Sequence, residues 1–188
     1  MSSVILTGDT SGTLTVSAPA VAGSNTVTLP AQTGTLQTLG VGTAVASTSG
    51  TSIDFTSIPS WVKRITVMFD GVSTNGSSFV LVQIGSGSIT TSGYVSGTWG
   101  PNSAGSSTAG FLTLNGLTAA DLMSGILVIN LIGSNTYIQL GNINREGSGC
   151  YSSAGRIALG GTLDRIRITT VSGTSTFDAG SINIMYEG

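Results

Sequence analysis

Histidine is absent from this chain of 188 residues, cysteine occurs once, and charged side chains make up only 7%. Without histidine there is no Ser–His–Asp or Cys–His triad and no His-containing zinc site. A lone Cys150 leaves no internal disulfide framework. Six cations stand against eight anions, a net charge of −2, and no basic run is present to neutralise phosphates. Nucleic acid is therefore not expected as a partner. Long hydrophobic runs are missing too. The longest, Ile126–Ile132, is far short of the ~20 residues a membrane-spanning helix needs, so no membrane is expected. The start, Met1–Asp9, has neither a basic opening nor a long apolar core and does not read as a secretory signal. Synthesis and folding in a cytoplasm follow as the expectation.

What the chain has in quantity is small and hydroxyl-bearing. Gly 28, Ser 28 and Thr 27 together account for 83 residues. Mean hydropathy is nonetheless positive at +0.37, which argues against charge-driven disorder. A chain of this length buries roughly 70% of its unfolded surface, enough for a core. Residues 1–62 contain no Lys or Arg, and the segments Gly12–Ser17 and Asn25–Leu29 alternate hydroxyl and aliphatic side chains before a proline-containing turn. Each reads as a short half-buried strand, and Thr33–Leu39 alternates more loosely. Such strands cannot build a core alone. Residues 40–51 read as a linker or a weak strand.

From residue 52 onward the candidate strands lengthen: 52–55, 64–69, 79–84, 110–114, 125–132, 137–143, 156–159, 165–170 and 181–186. Gly, Ser and Asn turns such as Gly133–Asn135 separate most of them. A single helical turn is expected near Thr118–Asp121. Many short strands at hairpin spacing predict an all-β, antiparallel β-sandwich or jelly roll over residues 41–188, behind a strand-rich segment 1–40 that needs either the main domain or copies of itself from other chains. Two long polar stretches, 85–109 and 144–155, read as loops.

Candidate chemistry is sparse. Asp54, Asp70, Asp121, Asp164 and Asp178 sit singly, mostly at strand ends or turns, where Asp bonds its own backbone. A glycosidase pair held about 5–10 Å apart is not suggested, and no enzyme is expected. Asp70–Asn75 with Asp178 offers oxygens to calcium, but no full Asp-x-Asp-x-Asp-Gly loop exists and no metal or other cofactor is expected. Arg165 and Arg167 share one strand face, read as local ion pairs in preference to an anion site. Tyr94, Trp99 and Tyr151 fall in the two polar stretches. Rings on polar loops either stack on sugars or pin the loop to the core or a neighbouring subunit, and the three are taken as candidate glycan-stacking groups. Phe55, Trp61, Phe69, Phe79, Phe111 and Phe177 are assigned to the core or its rim.

The segment Leu6–Leu36, with Ser60–Phe69, Thr162–Thr170 and Phe177–Glu187, resembles structural proteins of tailed-bacteriophage virions, in particular fibre proteins. The resemblance implies a small β-sandwich or jelly-roll knob behind a short β attachment module, usually a homotrimer, located on the virion after synthesis in the bacterial host. It implies no catalytic residue. Two roles are consistent with it. One is a short fibre or knob that docks on tail, baseplate or capsid proteins through residues 1–40 and binds a host-surface polysaccharide. The other is a capsid decoration or head-fibre protein with a mechanical role.

Overall fold

The computed structural model describes residues 3–7, 11–17, 37–101, 103–115, 117–119 and 121–188. Asn25–Leu29 and most of Thr33–Leu39, expected as strands, lie outside them. The chain divides into two units, Met1–Leu36 and Gln37–Gly188. In the first, β1 (Ser3–Thr7) and β2 (Thr13–Ser17) form a two-stranded antiparallel ribbon with Val4 opposite Val16 and Leu6 opposite Leu14.

The second unit runs β3 (Leu39–Val41), β4 (Val45–Ala46), β5 (Ser52–Thr56), β6 (Arg64–Thr74), β7 (Val80–Ser86) and β8 (Ser88–Ile89). It continues β9 (Val95–Gly100), β10 (Ser103–Ser107), β11 (Phe111–Leu112), β12 (Met123–Gly133), β13 (Thr136–Arg145), β14 (Gly149–Ala158), β15 (Arg165–Thr170) and β16 (Phe177–Glu187). The protein is all-β, every strand pair described is antiparallel, and no helix occurs among the described residues. Near Thr118 the backbone closes a turn instead, with the Asp121 N–H donating to the Thr118 carbonyl.

One sheet has nine strands, in the order β10-β9-β14-β13-β12-β6-β16-β3 with β4 also on β16. The other has five, β11-β7-β15-β5 with β8 on β7. The long hairpin β12–β13 turns through Ser134 and Asn135, both at positive φ, the two-residue geometry whose twist matches paired strands. Inward side chains of both sheets join one apolar cluster. The smaller sheet supplies Ile53, Phe55, Val82, Ile84, Phe111, Ile166 and Ile168; the larger supplies Ile65, Val67, Phe69, Leu127, Ile129, Ile143 and Ile184. At roughly 1.5–3 kcal/mol per fully buried aliphatic side chain, this cluster is the main favourable term holding the unit together.

Both stretches expected as loops are largely strand. Residues 85–109 contain β8, β9 and β10, and 144–155 are shared between the end of β13 and most of β14. Gly and Ser carry little strand propensity, and here ladder hydrogen bonds to neighbouring strands outweigh it. Two glycines make the packing possible. A Cβ on Gly100 would collide with the Tyr151 ring, and one on Gly155 with Phe111 and the Val95 carbonyl.

Candidate functional site

Strand parity decides what each candidate ring does, because successive side chains point to opposite faces. Tyr94, just ahead of β9, points inward and is only 1% exposed. Its hydroxyl accepts from the Ile84 N–H at 2.8 Å and donates to the Ile84 carbonyl at 3.1 Å. Its ring meets Phe111 edge-on, with centroids 5.0 Å apart. Burial pushes the phenol up to about 12, against a smaller opposite effect of the Ile84 bond. Tyr151, on β14, is also 1% exposed. Burial raises its pKa, but hydrogen bonds with Ser148, Arg145 and Ser103 and the Arg145 charge outweigh that and hold the phenol below its ordinary value. The assignment of Tyr94 and Tyr151 as glycan-stacking groups is therefore corrected: neither presents a ring face to solvent, because Tyr151 falls on an inward position of β14 and Tyr94 turns inward just ahead of β9.

Trp99 is the third candidate, and its position on β9 points outward with 72% exposure. It borders a shallow hollow of about 410 Å³ lined by Gly97, Gly105, Leu140, Ser152 and Ala154. The register explains this grouping. Trp99 lies opposite Ser152, Ser152 opposite Asn142, and Asn142 opposite Ile126; one row on, Gly97, Ala154, Leu140 and Val128 follow across the same strands. A second hollow, about 340 Å³, lies on the other side of Leu140 against Ile126, Val128, Asn130, Gly141, Asn142 and Arg64. Leu140 and Ile126 are 62% and 47% exposed, and Val41, Val95 and Ile138 are exposed as well. The outer face of the nine-stranded sheet thus exposes aliphatic side chains on β3, β9, β12 and β13 among polar neighbours such as Asn142 and Ser152, a concentration that marks interaction surfaces.

Sequence reasoning did not find this face. Its signal was the unbroken run Ile126-Leu-Val-Ile129, which lacks the alternation of a half-solvated strand and instead marks a strand with both faces covered.

Several charged groups elsewhere pair with one another. Arg167 holds Asp54 through two hydrogen bonds of 2.7 Å, and Arg165 holds its neighbour Asp164 at 2.7 and 3.1 Å. The local ion pairs expected of these arginines are present. The Arg165 bond holds the Asp164 carboxyl below its usual range, despite burial, with the Gly87 N–H adding to the effect. Arg145 pairs with Asp121 at 2.8 Å. Burial raises the Asp121 pKa, but bonds from Thr118 and Arg145 prevail and lower it. These pairs are structural ties among backbone segments. Among the described residues no group of three or more His, Cys, Asp or Glu side chains gathers as a metal site would require, and Cys150 is an exposed free thiol. No known protein family, curated protein or solved structure matches this chain.

Proposed function

We propose that this chain is a structural protein of a tailed-phage virion, acting through surfaces and not through a reaction centre. In this reading the two sheets stack as a β-sandwich of jelly-roll type, supported by the single apolar cluster to which both contribute. Residues 1–40 attach the chain to other virion proteins or bring copies together as a trimer. The ribbon β1–β2, with Val4, Ile5, Leu6 and Val16 exposed, suits that role because an isolated two-stranded ribbon is marginal in water.

The observation that carries the reading is the outer face of the nine-stranded sheet, broad and carrying exposed aliphatic side chains such as Ile126, Ile138 and Leu140. Such a face favours the mechanical version, a decoration or head-fibre protein packed against protein neighbours. The adhesin version retains one stacking group, Trp99, beside the outward-facing Ser152 hydroxyl.

Gold-labelled antibody against residues 41–188, applied to intact particles under the electron microscope, tests the proposal. Label over the capsid supports the mechanical version, and label on the tail or baseplate supports the adhesin. Particles without label overturn the virion reading. For the adhesin, Trp99→Ala should reduce adsorption to host cells, and unchanged adsorption removes glycan binding at Trp99.

A further inference from the structure

We propose that a second copy of this chain covers the outer face of the nine-stranded sheet, packed face to face about a two-fold axis that passes over Ile126, Val128, Leu140 and Asn142. The proposal rests on the reading of the protein as an assembling structural component, and it names the surface and the symmetry.

Three features favour a copy of the same chain over an unrelated partner. The first is relief. Leu140 and Trp99 stand out from the face, and hollows floored by Gly97, Gly105 and Gly141 lie beside them. The face therefore carries both knobs and recesses, as a self-complementary surface must.

Charge is the second. Arg156 and Asp70 are exposed, and among the described residues neither takes part in a salt bridge. They occupy opposite corners. Arg156 lies in register with Ile138, Asn130 and then Arg64, three strand spacings or about 14 Å away. Asp70 is six residues further along β6, roughly 20 Å. The midpoint between the two charges falls at Leu127 and Gly141, with Ile126, Val128, Leu140 and Asn142 around it on the outer side. A two-fold axis lying in the face over that point, at right angles to the line joining the charges, sets each Arg156 against the other copy's Asp70. Two opposite-charge contacts then bracket an apolar centre, the arrangement of a polar rim around a desolvated core.

The third feature is extent. From β10 to β3 the face spans seven strand spacings, roughly 34 Å, and about 20 Å along the strands. The product, roughly 680 Å², is close to the ~800 Å² per partner of a standard stable interface.

Sedimentation equilibrium of the full chain at micromolar concentration tests this, with variants confined to exposed positions. The wild type is expected at twice the chain mass or a multiple of it. Leu140→Asp and Ile126→Asp should each halve that mass while leaving the circular dichroism spectrum and melting unchanged for the separated chains. Arg156→Asp and Asp70→Arg should each weaken association about tenfold or more, and the double exchange should restore it. A monomeric wild type overturns the proposal, as does a mass that survives Leu140→Asp and Ile126→Asp. A trimer that these variants dissociate, or single charge variants that weaken association without rescue by the double exchange, overturns the two-fold arrangement. The gold-labelling result is independent of all of these, so particle location and interface can fail separately.

Discussion

On the outer face of β15 and β5, Arg167 and Asp54 grip each other through two hydrogen bonds, the Thr169 hydroxyl donates to the Thr51 carbonyl, and the buried Gln83 amide donates to the Ala109 carbonyl. On the outer face of β12 and β13, Ile126 and Leu140 stand exposed instead. The first face is finished: its polar groups are satisfied within the chain, and little is gained by covering it. The second leaves aliphatic surface in water at a cost of about 25 cal/mol per Å², which only burial against another surface removes. Both sheets draw on the same limited vocabulary of residues. What separates them is which strand positions receive aliphatic side chains on the solvent side.

The sharpest test of that contrast is between two leucines on adjacent strands. Leu127 points into the core and Leu140 points outward. Leu127→Ala should lower unfolding free energy by about 3 kcal/mol through lost burial and the cavity left behind. For the separated chain, Leu140→Ala should change it by less than about 0.5 kcal/mol. Urea unfolding measures both, and equal losses would erase the distinction between inner and outer faces.

Next in size is Tyr94→Phe. It removes a buried hydroxyl bonded to both polar groups of Ile84, and should cost about 1–3 kcal/mol near neutral pH. The same phenol has an alkaline signature. Its folded pKa of about 12 lies above the unfolded value near 10, so its contribution is intact below pH 10 and lost as pH rises toward 12. Stability of the wild type should fall across that window more steeply than that of the phenylalanine variant. Parallel curves would mean the Tyr94 hydroxyl is not held as described.

Asp121→Asn comes third, with a loss on the order of 1 kcal/mol from the weakened Arg145 tie and the Thr118 turn. Here the sign reverses. The folded pKa is depressed, so the stabilisation is present above the unfolded value near 4 and disappears as pH falls through the lower folded value. The acid limb of the wild-type stability profile should therefore be steeper than the variant's. The smallest effect belongs to the finished face. Asp54→Asn should cost less than about 1 kcal/mol, and less still in high salt, because the pair with Arg167 is open to solvent.

How much of this could be read from the sequence depends on side-chain chemistry, strand by strand. β15 was legible to the residue, Arg165–Thr170, because Ile166 and Ile168 alternate with arginines. β5 and β13 were legible within a few residues for the same reason. β9 and β10 were not. In Val95-Ser-Gly-Thr-Trp-Gly100 and Ser103-Ala-Gly-Ser-Ser107 almost nothing alternates, and the pairing of β9 with β14 and of β10 with β9 supplies what local propensity lacks. The error over Tyr94 and Tyr151 followed directly, since a residue's parity has no meaning until its strand is known. Trp99 kept its exposed position only because its parity is the opposite one. The outer apolar face was written in Ile126–Ile129 and in Ile138 and Leu140. In β13, however, the inward positions include Gln139 and Gly141, so polarity alone would have turned that strand over.

Gly100 and Gly155 carry a consequence for how such a protein can change over generations. Each is held by what presses on it, the Tyr151 ring in one case and Phe111 with the Val95 carbonyl in the other. A side chain at either position displaces a buried aromatic, so these sites have almost no room for drift. Across the strand on the outer side, Ser152 and Ala154 answer to no such constraint. The lineage can therefore rewrite the surface it offers to its neighbours one residue at a time, while the sheet beneath keeps its register.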